Sequence, residues 1–132
     1  MKKITFLCLL SFVLFACNKN SDARKSSTDS ICYTGKIIAK GCYGNAIIQV
    51  LKPQEAFLKE SVYKNGNDQP LLEYVISTNV PLPNEYSAGD QFYFQVKEFS
   101  VIGATTAECI WPKYSAEIQS MSKHSCDSIT SK

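Results

Sequence analysis

Four cysteines, Cys32, Cys42, Cys109 and Cys126, lie far apart in the part of the chain that follows residue 31. Four-cysteine zinc sites usually present their ligands as two close pairs such as C-x-x-C, and no such pair occurs here. Two disulfides are therefore the expected reading, with a zinc site as the rival. Three pairings are possible. We favour Cys32 with Cys126, which would tie the two ends of a domain together, and Cys42 with Cys109. A domain of roughly 100 residues has a marginal core when it stands alone, and small secreted domains commonly add such staples.

The other two of the six cysteines sit near the start of the chain. Lys2 and Lys3 precede an uncharged, mostly apolar run from Ile4 to Ala16. This is the layout of a secretory signal, and the run is too short to span a bilayer, which needs about 20 residues. It ends in Leu14-Phe15-Ala16-Cys17, which resembles the bacterial lipobox: an aliphatic residue three places before the cysteine, a small residue directly before it, then the cysteine that receives lipid. Phe15 departs from the usual small residue, a looseness similar to that of Bacteroidota-type lipoproteins. The resemblance implies cleavage before Cys17, lipid on Cys17, and anchoring in the cell envelope at the outer membrane, with the periplasmic or surface face left open. The alternative is an ordinary signal cut after Ala16. Cys8 is a poor rival because few apolar residues precede it.

Removing residues 1–16 takes away Lys2 and Lys3, and the formal charge falls from +2 to 0. A neutral chain has no general attraction for nucleic acid, which needs clustered Lys and Arg, so no nucleic-acid partner is expected. From Asn18 to Ser30 there is no large apolar residue, so this stretch cannot bury enough surface to offset its ordering entropy. Residues 17–31 read as a lipidated cysteine and tether, and residues 32–132 as one disulfide-bonded domain.

Within that domain the pattern is β. Lys36–Tyr43 and Ala46–Leu51 flank Gly44-Asn45, a pair that favours a two-residue hairpin turn. That register sets Tyr43 opposite Ala46, Gly41 opposite Ile48 and Ala39 opposite Val50. It predicts a core face of Ile37, Ala39, Tyr43, Ile48 and Val50, with Lys40 and Gln49 outside. Gly41 is expected to mark a bulge or bend. Pro53 to Glu60 predicts one or two helical turns beginning at Pro53, and Asn65-Gly66-Asn67-Asp68 a loop. A third strand is expected over Leu72–Val80, with Leu72, Tyr74, Ile76 and Val80 on one side, ended by Pro81 and Pro83. Gly89-Asp90 launches a fourth over Gln91–Phe99, where Phe92, Phe94 and Val96 alternate with Tyr93, Gln95 and Lys97. Tyr114–Ser120 forms a fifth.

Five short strands with these turns resemble the oligonucleotide/oligosaccharide-binding-type (OB-like) small β-barrel over about residues 33–120. A small β-sandwich is the alternative. One departure stands out: the short helix follows strand two, whereas that family places it after strand three. The stretch from Gly35 to Leu51 also resembles small lipoproteins of Bacteroidota, which implies location and fold more than activity.

No chemistry stands out. His124 is the single histidine, and nothing in the spacing selects a serine and an acid to join it in a triad. Metal-ligand spacing is missing, and no cofactor is expected. Glu98 and Glu108 flank the turn after strand four, but no glycosidase motif surrounds them. Gly41-Cys42-Tyr43-Gly44 lacks the lysine and helix of a phosphate loop. The aromatics are more suggestive, because rings with a polar handle suit binding surfaces, although tyrosine is also an ordinary strand residue. Trp111 and Tyr114, near Pro112 in an expected loop, are the first ligand-contact candidates, and Tyr93 is the next. The expectation is a binding or accessory module without catalysis, for a glycan, peptide or protein of the envelope. The alternatives are an assembly component and, behind it, an inhibitor or enzyme.

Overall fold

The computed structural model describes residues 30–103 and 109–129. The signal segment 1–16, the lipidation candidate Cys17, the tether as far as Asp29, and Glu108 lie outside them. Five strands, β1 (Cys32–Lys40), β2 (Asn45–Lys52), β3 (Val75–Pro81), β4 (Gln91–Val101) and β5 (Tyr114–Ser122), close into a barrel in the order β1-β2-β3-β5-β4. The sheet does not split into a sandwich. β3 and β5 run parallel and the other pairs antiparallel, the five-stranded Greek-key closure of an OB-like barrel.

β1 is the strand on which closure turns, for it pairs with β2 on one side and with the start of β4 on the other. Gly35 sits at that junction, opposite both Val50 and Phe92. A Cβ there would lie 2.7 Å from the Ile48 side chain and 2.8 Å from Phe94, so only glycine admits both neighbours. Inside the barrel a row of aromatic rings runs from end to end. Tyr86 meets Phe92, Phe92 stacks on Phe94, Phe94 on Tyr33, and Tyr33 meets Phe99 edge-on; Phe99 touches Phe57, which touches Tyr114. Successive centroids lie 5.1–5.8 Å apart, the range in which ring pairs attract.

Each end of this row is a plug supplied by a connection. At one end the 3-10 turn Ala56–Glu60 sends fully buried Leu58 into the core and sets Phe57 beside Phe99 and Tyr114. The turn lies between β2 and β3 as expected, but it starts at Ala56. Pro53 instead follows a cis peptide bond directly after β2. At the other end the β3–β4 connection inserts Leu82 and Tyr86.

Three expectations need correction. The β1–β2 connection is not a two-residue turn: a 3-10 turn, Cys42–Gly44, separates the strands, and Ile37 faces Ile48, Gly35 faces Val50 and Lys40 faces Ala46. In the tighter hairpin Cys42 would stand inside the ladder opposite Ile47. Here it stands in the loop, where it reaches Cys109. Gly41 does mark the bend, its N–H donating to Asn45 O at 2.6 Å. The bulge falls at Ile38, and it turns Ala39 to the outer cluster of Ile47, Tyr63 and Val75. Tyr43 is no core residue; it is 83% exposed.

Second, β3 begins at Val75. Leu72 instead forms an isolated bridge with Tyr63, and Tyr74 takes φ 58°, which interrupts the strand. The segment between is a flap that covers the outer side of β2 and β3. For that reason Ala46-Ile47-Ile48 and Val75-Ile76-Ser77-Thr78 are buried without alternation, as strands covered on both faces are. Third, Val80 points to solvent. β4 keeps its expected alternation as far as Val96, where register shifts turn Phe99 to the core, and β4 and β5 run two residues further each, which places Glu98 inside β4 opposite Glu117 rather than beside a turn.

Both favoured disulfides are formed, Cys32–Cys126 with Cα atoms 5.9 Å apart and Cys42–Cys109 with 6.1 Å. The serine-rich tail serves the first. Ser128 Oγ lies 2.5 Å from Ser122 Oγ and donates to Ser125 O, and Ile129 is buried, so the chain folds back after β5 and returns Cys126 to the start of β1.

Candidate functional site

The second disulfide joins two connections near a candidate site. The β4–β5 connection, from Ile102 to Lys113, leaves the barrel where Ile102 N–H donates to Lys113 O. Cys109 is bonded to Cys42 in the β1–β2 loop, so two connections far apart in sequence are clamped together beside the outer face of β3. Next to the two ends of these connections, Asn45 and Trp111, lies a groove of about 280 Å³, at the low end of the ~300–1,000 Å³ of small-molecule sites. Its floor is Asn45 from β2 with Ser77, Thr78 and Asn79 from β3, and Ser115 of β5 stands opposite Ser77. Trp111 and Ile102 form its apolar wall.

The groove floor is rigid. Thr78 Oγ1 accepts from Ala46 N–H at 2.9 Å and donates to Val80 O, and Ser77 Oγ donates to Thr78 O. These side chains are thus tied into the ladder, whereas among the described residues the amides of Asn45 and Asn79 make no side-chain hydrogen bond of their own. In the β1–β2 connection, Tyr43 takes φ 62° and ψ 17°. A non-glycine residue held in that left-handed region costs on the order of 1–3 kcal/mol, and such residues cluster at functional sites. Glycine follows at φ 79°, so the loop turns with two successive left-handed residues and presents the Tyr43 ring to solvent.

No protein-family model, curated protein or solved structure significantly matches this chain. The site is therefore read from its own residues.

The three aromatic candidates do not form one surface. Trp111 is half-buried, belongs to neither core cluster, and lines the groove. Tyr114 is occupied within the fold: its ring meets Phe57 at 5.3 Å, its hydroxyl donates to Glu60 Oε1 at 3.2 Å, and its backbone N–H donates to Ser61 Oγ. Lys113 pairs with the same Glu60 oxygen at 2.5 Å and lies over the Tyr114 ring. These hydrogen bonds hold the Glu60 carboxyl below its ordinary value. Tyr93 lies opposite Thr34 and Ser122. It is eight residues along β4 from Val101, the partner of Tyr114, or roughly 25 Å at strand rise.

Asn45, Asn79, Ser77 and Ser115 escaped the sequence reading. Asn45 looked like a turn residue. Asn79 did carry a signal, because asparagine is depleted in strands and here interrupts Thr78 and Val80.

The groups weighed for catalysis do not converge. His124 is exposed in the turn after β5, where its backbone N–H donates to Ser122 Oγ. Glu98 is exposed, beside the Lys97–Glu117 pair. Among the described residues no group of three His, Cys, Asp or Glu could hold a metal ion. Other hollows have a different character. One of about 420 Å³, between β1 and the flap, is lined by Lys36, Gln69 and Leu72 with no aromatic ring. One of about 630 Å³ beside Phe57 carries Lys59, Glu60 and Glu73. Neither combines a half-buried ring with uncharged polar groups.

Proposed function

We propose that this chain is a lipid-anchored lipoprotein of the cell envelope whose domain is a non-catalytic binding module, with the groove beside Trp111 as its ligand site. The observation that carries the binding reading is the groove that Asn45 and Trp111 line, three and two residues after the bridged Cys42 and Cys109. Clamping loops before a ligand arrives reduces the ordering entropy lost on binding, and recognition commonly resides on loops held by a rigid scaffold. The anchor rests on Leu14-Phe15-Ala16-Cys17 after an apolar run, and stable anchoring requires at least two acyl chains. Fold alone does not name a ligand.

Two experiments test this. Cys17→Ser, expressed with its own leader, should leave the membrane fraction or accumulate as precursor, and mass spectrometry of the wild-type mature N-terminus should show acyl chains; an unmodified N-terminus refutes the anchor. Turnover of a glycan, peptide or ester that is lost on changing His124 or Glu98 refutes the non-catalytic reading.

A second reading, an assembly component, is favoured by one observation. Tyr43 and Ile110, each adjacent to a cysteine of the Cys42–Cys109 bridge, are 83% and 67% exposed. If the domain is an assembly component, changing both to Ser should disrupt a complex recovered from native membranes by crosslinking, while Asn79→Ala leaves it intact.

A further inference from the structure

We propose that the end of β1, with a hollow on either face, docks an extended acidic segment of a partner protein by strand addition, at a site separate from the groove beside Trp111. β1 runs from Cys32 to Lys40 and is paired with β2 as far as Lys40. On its other side β1 is paired with β4 from Cys32 to Lys36, and Ile37 ends that side by donating to Asp90 O and accepting from Gly89 N–H. Among the described residues, 38–40 have no main-chain partner there. An open edge is a template for a further strand, and extended peptides bind to such edges.

Two hollows adjoin this edge. One, of about 420 Å³, is lined by Lys36, Ile38, Asn65, Gln69 and Leu72. The other, of about 160 Å³, is lined by Lys40, Ala46, Leu82 and Tyr86. Ile37 and Ala88 line both, so the hollows meet where the chain before Gly89 departs from β1. They belong to opposite faces of the sheet: Ile38 and Leu72 pack in the outer cluster under the flap, whereas Ala46, Leu82 and Tyr86 pack in the barrel core. Successive side chains of an added strand alternate between faces, so neighbouring residues of one segment reach one hollow each.

Size and charge define those residues. An apolar cavity of about 150 Å³ accepts a benzene-sized group, so the smaller hollow fits one apolar side chain. The larger one sets the amides of Asn65 and Gln69 beside Lys36 and fits a polar one. Lys36 and Lys40 are both exposed, one in each lining, at either end of the open stretch. Asp90, the acid at the junction, already accepts from Lys123 and from Ser87 N–H. Lysines at an edge discourage pairing with another copy of the same cationic strand and attract an acidic one. The matching segment therefore places an apolar residue next to Asp or Glu.

The test uses the mature protein in detergent and an array of capped, fluorescein-labelled hexapeptides read by fluorescence anisotropy. In the first set a central Val, Leu, Phe or Tyr adjoins Asp or Glu. Control sets replace the acid with Lys, the apolar residue with Ala, or a flanking residue with Pro, which cannot donate to a ladder. Members of the first set should bind saturably, and each control change should weaken them roughly tenfold or more, as loss of a central contact does. Hydrogen exchange should show added protection of the amides of residues 38–40. Ala88→Phe fills the mouths of both hollows from an exposed position and should abolish binding. Lys36→Gln with Lys40→Gln, which changes only exposed side chains, should weaken it roughly tenfold or more while the melting temperature stays level. Silence of the whole first set, or binding that survives both variants, overturns the proposal. Equal binding of the Pro-containing set overturns strand addition, and saturation by phenylpropionate to the exclusion of the peptides overturns the protein partner in favour of a small acid.

Discussion

The two disulfide-bonded regions of this domain are close in energetics and opposite in surroundings. Cys32–Cys126 spans 94 residues and Cys42–Cys109 spans 67, and in the chain-entropy model either alone contributes on the order of 4–5 kcal/mol. Once one is closed, the other closes only the short way round, through Cys32–Cys42 and Cys109–Cys126, a circuit of about 27 residues worth roughly 3–4 kcal/mol. That increment is the same for both. What they hold differs. Cys32–Cys126 sits among the Ser122, Ser125 and Ser128 hydrogen bonds beside buried Ile129, where it completes the barrel. Cys42–Cys109 has exposed Tyr43 and Ile110 for neighbours and joins the connections that lead to Asn45 and Trp111. Similar stabilisation therefore goes with different surroundings: the first bridge lies in a hydrogen-bonded tail, and the second lies between exposed side chains.

The strongest way to break this comparison is to remove both bridges at once. Changing all four cysteines to serine should cost about 8 kcal/mol in the same model, comparable to the whole stability of a small domain. The variant should lack a cooperative thermal transition by circular dichroism; a sharp transition near the wild-type temperature would show that the barrel does not depend on its cross-links.

The next test separates the bridges. Cys32→Ser with Cys126→Ser, and Cys42→Ser with Cys109→Ser, should each lose about 3–4 kcal/mol in urea titrations, within about 1 kcal/mol of one another. Only the second pair should weaken ligand binding at Trp111 under conditions where both variants are folded. A difference in stability above about 2 kcal/mol, or equal loss of binding, removes the distinction.

Gly35→Ala probes closure away from either bridge. Its Cβ would press on Ile48 and Phe94 at 2.7 and 2.8 Å, and overpacking of this kind costs about 1–3 kcal/mol. Urea denaturation should show that loss. Tyr43→Gly probes the other region. Glycine removes the cost of φ 62° but adds freedom to the unfolded chain, so stability should stay level or rise by up to about 1 kcal/mol. A clear loss of stability would mean that the ring has a structural task.

The smallest effect is electrostatic. Hydrogen bonds from Lys113 and Tyr114 hold the Glu60 carboxyl below its ordinary value of 4.5. A lowered folded-state value means that this contribution is fully present above about pH 4.5 and is lost as the pH falls through the lower folded value. The pair is exposed, so the effect is small. The difference in melting temperature between wild type and Glu60→Gln should narrow from pH 6 to pH 3. A gap that stays constant over that range would assign the interaction to neutral hydrogen bonding alone.

The elements legible in the amino-acid sequence are those whose signals are local. β4 and β5 alternate because Phe92, Phe94 and Ala116 enter the core while Gln91, Lys97 and Gln119 face solvent, and a period of two survives wherever one face is wet. Glycine at positive φ marked the turn at Gly89. An even set of widely spaced cysteines pointed to two bridges, and joining the ends of the domain was the simplest way to pair them. Only the tertiary structure decided the rest. β2 and β3 lost their alternation because the Tyr63–Leu72 flap buries Ile47 and Val75 from outside, and no local pattern announces a cover that arrives from another segment. The β1–β2 register depended on where Cys109 would meet Cys42, a contact 67 residues away. Trp111 could be picked out as a ring with a polar handle, but its neighbours Asn45, Ser77 and Asn79 come from strands brought beside it by barrel closure. A groove is a property of surfaces that meet in space, and the chain encodes this one only through the long-range pairings that bring those surfaces together.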